Sequence, residues 1–331
     1  MPYLFYFVGF SLTLFTIIDL IWTTLWVDGG AGLITNKLTT AIWKLIKRLD
    51  NQLIYNITGP LIMTLTLFNW VLLLWIGITI FFAGNPEAII NTSTNEAISG
   101  VELFYYSGFT LFTLGIGDYT PQTLFLKIAT SLVSGLGMLL LTFGASYIIS
   151  VISAVVEKRS FARSIMGLGE NSSELLKNIW NNKDFHQFNL ILADVNSQII
   201  QLTQQTQAFP LLQYYHSEDK NKASAVAIAI LGEALTLLQY GLKDNSLINT
   251  TLVKSTQSSI TVYLNTTVNG YGDQVEKVKE IPTLINLSSL TEDMILLFSQ
   301  TEYLKKVDSM KKRRNDLYTI IKIDNHEWPN E

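Results

Sequence analysis

The sequence predicts an all-α membrane protein with a polar, mostly helical second half, and three observations carry that prediction. Three apolar stretches, roughly residues 3–26, 60–84 and 124–155, each exceed the length needed to cross a hydrocarbon core, which is about 20 residues for ~30 Å. Mean hydropathy over the 331 residues is +0.28, with the apolar residues concentrated at the front and Asn, Gln, Ser and Thr prominent from residue 157 onward. Within that second half, apolar residues recur at helical spacing over 172–180, 188–205, 222–242, 283–300 and 301–321.

The first stretch lacks a basic leader and a small-x-small cleavage site and is long for a secretory signal, so it is expected to be a retained helix. Asp19 near its inner end has two readings: an interfacial carboxylate, or a buried partner for a basic residue of the following linker. That linker, residues 28–58, places apolar residues at 34, 38, 42, 45, 46 and 49, which is helical spacing. With Trp43 and a basic face, it is expected to lie on the inner leaflet as an amphipathic helix, either coupling the later domain to the membrane part or simply anchoring it.

Orientation follows from the cationic residues. Lys37, Lys44, Lys47 and Arg48 lie in the linker, and Lys158, Arg159 and Arg163 follow the third stretch, whereas the 85–101 loop has only Glu87 and Glu96. The linker and the C-terminal half are therefore expected in the cytoplasm, with the N-terminus and the 85–101 loop outside.

Between the second and third stretches runs Ser107-Gly-Phe-Thr-Leu-Phe-Thr-Leu-Gly-Ile-Gly-Asp-Tyr-Thr-Pro121. Glycine adopts positive φ freely. Alternating Gly115 and Gly117 with Leu114 and Ile116 lets successive carbonyls face one side while the apolar side chains pack away from it. Thr113-Leu-Gly-Ile-Gly-Asp118 resembles the T-V-G-Y-G-D selectivity filter of the potassium-channel superfamily, in which carbonyl rings replace an ion's hydration shell. Residues 102–112 are similar in length and aromatic content to that family's pore helix, Pro121 stands where a proline is common, and Gly135 and Gly137 stand near its gating hinge, with Gly137 aligning best.

The resemblance implies a homotetramer of single-pore-loop subunits in the plasma membrane: an N-terminal helix over 1–27, the linker over 28–58, a pore domain over 59–156 and a cytoplasmic helical domain over 157–331. It implies K⁺ as the permeant ligand at the carbonyls of Thr113, Leu114, Gly115 and Ile116, with the Thr113 hydroxyl at the inner end and the Gly117–Asp118 pair at the mouth. Two departures are notable. Ile116 replaces the usual tyrosine, so bracing is expected from packing against Tyr105 and Tyr106, and Phe109 occupies the place of a pore-helix carboxylate that pairs with the filter aspartate in some members. Two alternatives to a potassium-selective channel are a non-selective cation channel, and a membrane sensor or scaffold with a vestigial pore.

Thr266-Thr-Val-Asn-Gly-Tyr-Gly-Asp273 looks closer to the consensus, but a charged segment follows it and no spans flank it closely; it is expected to be a loop. Segment 222–242 is apolar, yet Glu233 at its middle marks a buried soluble helix rather than a fourth span. Leu290, Met294, Leu297, Leu304 and Val307 are expected to pack in a core, and Lys311–Arg314 to form a solvated face. Gly167-Leu-Gly169 lacks the third glycine and the preceding strand of a dinucleotide-binding turn. No repeated-arginine voltage sensor is evident. The net charge of −4 is too mild to imply a nucleic-acid partner, there are no cysteines, the three histidines are scattered, and no catalytic motif is present. No enzyme activity, cofactor or regulatory ligand is therefore assigned.

Overall fold

The computed structural model describes residues 2–49, 52–98, 100–271, 284–285, 290 and 292–329. The first half contains α1 (Pro2–Leu25), α2 (Leu33–Leu49), α3 (Gln52–Phe82), β1 (Ile89–Asn91), α4 (Gly100–Leu111), β2 (Tyr119–Pro121) and α5 (Leu124–Met166). Three helices are long and apolar enough to cross a membrane, Pro2–Leu25, Ile54–Phe82 and Leu124–Met166, matching the three expected stretches. The second of these begins before Pro60, which lies inside α3.

The chain divides into two compact units, Met1–Ile42 with Pro60–Val151, and Trp43–Gly59 with Ile152–Glu331. Each of α2, α3 and α5 contributes residues to both, so the linker is not a body of its own.

In the first unit α1 packs directly on α3. A side chain at Gly9 would overlap the Phe81 backbone nitrogen, and one at Gly77 would come within 2.7 Å of Thr13 Oγ1. Small residues at a crossing let membrane helices approach closely, which is where packing rather than water exclusion drives association. Deeper along the pair, Asp19 is buried. It accepts from the backbone N–H of Ile34 at 2.7 Å and of Thr35 at 3.2 Å, from the Thr35 hydroxyl at 2.6 Å, and from Trp70 Nε1 at 2.9 Å. Its partners are thus the free N–H groups opening α2 and an indole of α3, rather than the basic side chain considered above. A carboxylate is well suited to this place because the first turn of a helix exposes donors and a positive dipole end.

In the second unit the helices continue as α6 (Ser172–Ile179), α7 (Phe188–Ala208), α8 (Ser224–Tyr240), α9 (Thr250–Tyr271), α10 (Glu292–Ile295), α11 (Gln300–Ser309) and α12 (Lys311–Ile323). Helix α8 is central, with α6, α9, α11 and α12 packed around it. Glu233 is buried there as expected, and its carboxylate accepts from Arg314 Nε at 3.0 and 3.1 Å and pairs with Arg314 Nη2 at 3.0 Å. The Lys311–Arg314 run is therefore not uniformly a solvated face: Arg314 is buried, and burial pushes the Arg313 guanidinium down to about 10 although Glu233 opposes the shift.

Two further expectations are corrected. Thr266–Tyr271 are the last turns of α9 rather than a loop; Gly272 and Asp273 lie outside the described residues. Leu290, Met294 and Val307 join the core with Leu297 at its edge, but Leu304 is 45% exposed and Tyr303 takes the inward place. Of the stretch 283–300, much lies outside the described residues, and Glu292–Ile295 form a single turn.

Trp43 is fully buried, which overturns its expected place at a lipid surface. Its ring stacks on His216 at 5.0 Å and meets Tyr55, Tyr214 and Tyr271 at 5.8, 5.7 and 6.2 Å. His216 Nδ1 lies 2.6 Å from Asp324 Oδ1. The start of α3 joins the same region through Asn56, which donates to Glu218 at 2.6 Å and accepts from the Glu218 N–H at 2.7 Å.

Candidate functional site

The candidate site is built on α4 and the segment 112–118 that follows it. Helix α4 is held along one side by α3: Trp75 Nε1 donates to the Phe104 carbonyl at 2.8 Å, and the two rings stack at 4.3 Å. It is held along the other by α5. Tyr106 and Thr130 share a 2.5 Å hydroxyl contact, and Ser134 Oγ donates to the Thr110 carbonyl at 3.1 Å. A Cβ at Gly137 would overlap the Leu111 carbonyl oxygen, whereas nothing lies within 4 Å of one at Gly135. The end of α4 therefore rests on the glycine backbone of α5, and α5 runs unbroken past both glycines. Gly137 thus has a packing reason to be glycine, separate from any hinge.

The chain leaves α4 through three closing hydrogen bonds: Phe112 N–H to Gly108, Thr113 N–H to Thr110 and Leu114 N–H to Phe109, at 2.9, 3.1 and 2.8 Å. Beyond them every second residue is left-handed, with φ of +58° at Thr113, +58° at Gly115 and +84° at Gly117. Alternating hand turns successive carbonyls toward one side, and the two glycines do so without a Cβ penalty. A β-branched threonine in that region is strained by about 1–2 kcal/mol. The two-residue period thus extends one step further toward α4 than the glycines alone indicate.

Residues 112–118 are exposed on the single chain, with Leu114 at 63% and Ile116 at 48%. The aromatic residues expected to brace Ile116 have partners of their own within the first unit. Tyr106 is buried with its hydroxyl on Thr130, and Tyr105 meets Phe109 and Tyr119 edge-on at 5.4 and 6.0 Å.

The outer end of the segment runs into β2, which pairs antiparallel with β1: Ile89 opposite Pro121, Ile90 opposite Thr120 and Asn91 opposite Tyr119. Within the loop over 85–101, β1 also pairs back on residues 96–98 through Asn91 N–H to Glu96 and Ile98 N–H to Ile89, so the loop is a folded hairpin rather than a plain connection. Thr92 N–H donates to the Asp118 carbonyl at 2.9 Å, and its hydroxyl lies 3.1 and 3.0 Å from the Gly117 and Asp118 carbonyl oxygens. Tyr119 donates to Glu102 at 3.3 Å; its hydroxyl is held above the ordinary value, first by desolvation and then by the Glu102 charge and hydrogen bond.

Sequence reasoning missed Thr92, Thr130, Ser134 and Trp75 as supports of this site. The two strands are three residues each, too short for a period-2 pattern, and hydroxyl partners carry no spacing signal.

Residues 63–154 match the family model described as "Ion channel". The chain is also 37% identical over 314 residues to "Uncharacterized membrane protein YdjJ" of Bacillus subtilis (strain 168), covering 94% of this chain and 91% of that protein. No solved structure matches. The chain is a multi-pass membrane protein of the same family as that relative, and its residues 63–154 form an ion-channel-type pore module.

Proposed function

We propose that the protein is a homotetrameric potassium channel of the plasma membrane, conducting passively through a filter made by Thr113–Asp118 of each subunit. The observation that supports this most is the left-handed backbone at residues 113, 115 and 117 between the anchored end of α4 and β2. Four such segments around an axis supply stacked oxygen cages, and a dehydrated cation needs several such ligands at once. The carbonyls of Thr113, Leu114, Gly115 and Ile116 are the ion ligands, and Asp118 brings a carboxylate to the mouth. The C-terminal end of α4 directs its negative dipole end at the ion path. The permeant ion is the only ligand in this proposal; no cofactor and no catalysed reaction are invoked.

The N-terminus and the 85–101 hairpin face outward and the second unit lies in the cytoplasm, in keeping with the lysines and arginines of α2 and the end of α5. Gating is assigned to the second unit, because α2, α3 and α5 each contribute residues to it. The half-exposed Ile116 favours one competing reading, a looser and non-selective cation pore.

Flux from liposomes holding the purified chain, with K⁺ and Na⁺ gradients applied separately, decides between them. K⁺ flux well above Na⁺ flux, abolished by Gly117→Ala, is the expected result. Equal fluxes support the non-selective pore. Absence of flux, persisting after removal of residues 164–331, refutes conduction.

A further inference from the structure

The outer end of the 113–118 segment is held from outside α4. Ile116 and Phe109 have no side-chain hydrogen-bonding group, and Tyr106 spends its hydroxyl on Thr130. The polar contacts on the Gly117 and Asp118 carbonyls come instead from one residue of the hairpin. A single hydroxyl hydrogen shared between two carbonyls, at 3.1 and 3.0 Å, is a bifurcated bond, and the Thr92 N–H adds a third contact at 2.9 Å.

Thr92 is itself well fixed. It directly follows β1, whose three residues pair with β2, and the Gln122 N–H continues that ladder to the Ala88 carbonyl at 2.7 Å. On its other edge β1 is backed by residues 96–98: Asn91 N–H donates to Glu96 at 2.9 Å and Ile98 N–H to Ile89 at 3.3 Å. The turn between is closed by Asn91 Oδ1, which accepts from Ser93 and Thr94 N–H at 2.8 and 3.3 Å. Ile89 and Ile98 are buried in the core of the first unit, so the hairpin is anchored rather than hanging free.

We propose that Thr92 is the positioning residue for ion selectivity at the outer mouth, drawing the Gly117 and Asp118 carbonyls back toward the hairpin and leaving the carbonyls of Thr113–Ile116 as the ion ligands. The proposal rests on the channel reading above and adds the element that keeps its outermost ring at fixed size. Thr92 is exposed, so water competes for its hydroxyl; its contribution is one of direction more than of energy. A filter selects among ions only if its oxygens cannot close on the smaller one or open for the hydrated one; because Gly117 directly follows Ile116, fixing the Gly117 and Asp118 carbonyls on Thr92 limits how far the neighbouring Ile116 carbonyl can move in either direction.

The test uses the full-length protein and two readouts, the K⁺ or Na⁺ concentration that half-maximally stabilises it against heat and the reversal potential in mixed K⁺/Na⁺. An ion bound only by the native filter raises the melting temperature with its own concentration. Thr92→Val keeps the shape and removes the hydroxyl, while Thr92→Ser keeps the hydroxyl. Thr92→Val is expected to raise the half-stabilising K⁺ concentration about twofold, the scale of the ~0.5 kcal/mol left to one water-exposed hydrogen bond, and to shift the reversal potential toward Na⁺. Thr92→Ser is expected to match the wild type in both. Equal loss of stability in K⁺ and Na⁺ with an unchanged reversal potential would mean a merely structural role and overturn the proposal. Unchanged Thr92→Val overturns it as well, with the channel reading intact. A wild type with no K⁺-specific stabilisation and no flux overturns the channel reading and this proposal together.

Discussion

Replacing Asp19 by alanine removes the acceptor for four donors at once, the N–H of Ile34, the N–H and hydroxyl of Thr35, and Trp70 Nε1. The Thr35 hydroxyl can rotate to a carbonyl one turn back, and Ile34 is only partly buried. The Thr35 N–H and the Trp70 indole have no such escape, since both residues are fully buried. An orphaned buried donor costs about 1–3 kcal/mol, so the two together cost roughly 2–6 kcal/mol. A cleft of ≈ 360 Å³ lined by Phe15, Ile18, Asp19 and Trp22 lets the neighbouring helices relax, which places the expected loss in the lower half of that range, at about 3 kcal/mol. Asp19→Asn keeps one carbonyl oxygen but turns an amide N–H₂ toward a donor, for an intermediate loss of about 1–2 kcal/mol. Reversible unfolding in mixed micelles measures both values. A double-mutant cycle with Trp70→Phe isolates the indole contact, whose coupling is expected at about 1 kcal/mol or more. Asp19→Ala within about 0.5 kcal/mol of wild type, or zero coupling with Trp70→Phe, refutes the reasoning.

Two predictions concern the glycines of α5 and the buried carboxylate of Asp324. Gly137→Ala forces the end of α4 away from α5 and is expected to abolish K⁺ flux in liposomes, whereas Gly135→Ala, facing open space, is expected to leave it within about twofold; equal effects at the two positions would return Gly137 to a hinge role. Asp324 is buried, which pushes its carboxyl up, but the His216 hydrogen bond and the charges of Lys158, His216 and His326 outweigh this and hold it below the ordinary value. A depressed carboxyl stabilises the fold above its unfolded pKa, about 3.9, and that contribution disappears as pH falls through the lower folded value. Urea unfolding of the full chain is therefore expected to lose stability below about pH 4, with Asp324→Asn flattening that acid limb; an unchanged limb refutes the assignment.

The membrane helices and the 113–118 segment were legible in the sequence because both signals are local. A run of apolar residues declares its length, and glycines at every second position declare their backbone hand. Helix α9 was not singled out, although Val253, Ile260, Leu264 and Val268 keep a helical stripe along its buried side. The Thr, Ser, Asn and Val residues that fill it are weak helix formers, and packing against α7 and α8 overrides that preference. The pairing of β1 with β2 was invisible for the opposite reason: strands of three residues are stabilised by a partner some thirty positions away, and no stretch of sequence shows the pair together.

By itself the sequence determined the three apolar spans, the order of α4, the 113–118 segment and α5, and the left-handed turns at Gly115 and Gly117, though not the one at Thr113, since chain length, hydropathy and the steric freedom of glycine belong to the residues themselves. Only the tertiary structure decided how each buried polar or aromatic group is satisfied. Asp19 ends on the opening turn of α2 and on Trp70, Trp43 inside an aromatic cluster, Gly137 under the Leu111 carbonyl, and Gly117 and Asp118 on Thr92. The physical reason is that a hydrogen bond or a close contact depends on two partners, and folding rather than sequence spacing brings the second one into reach.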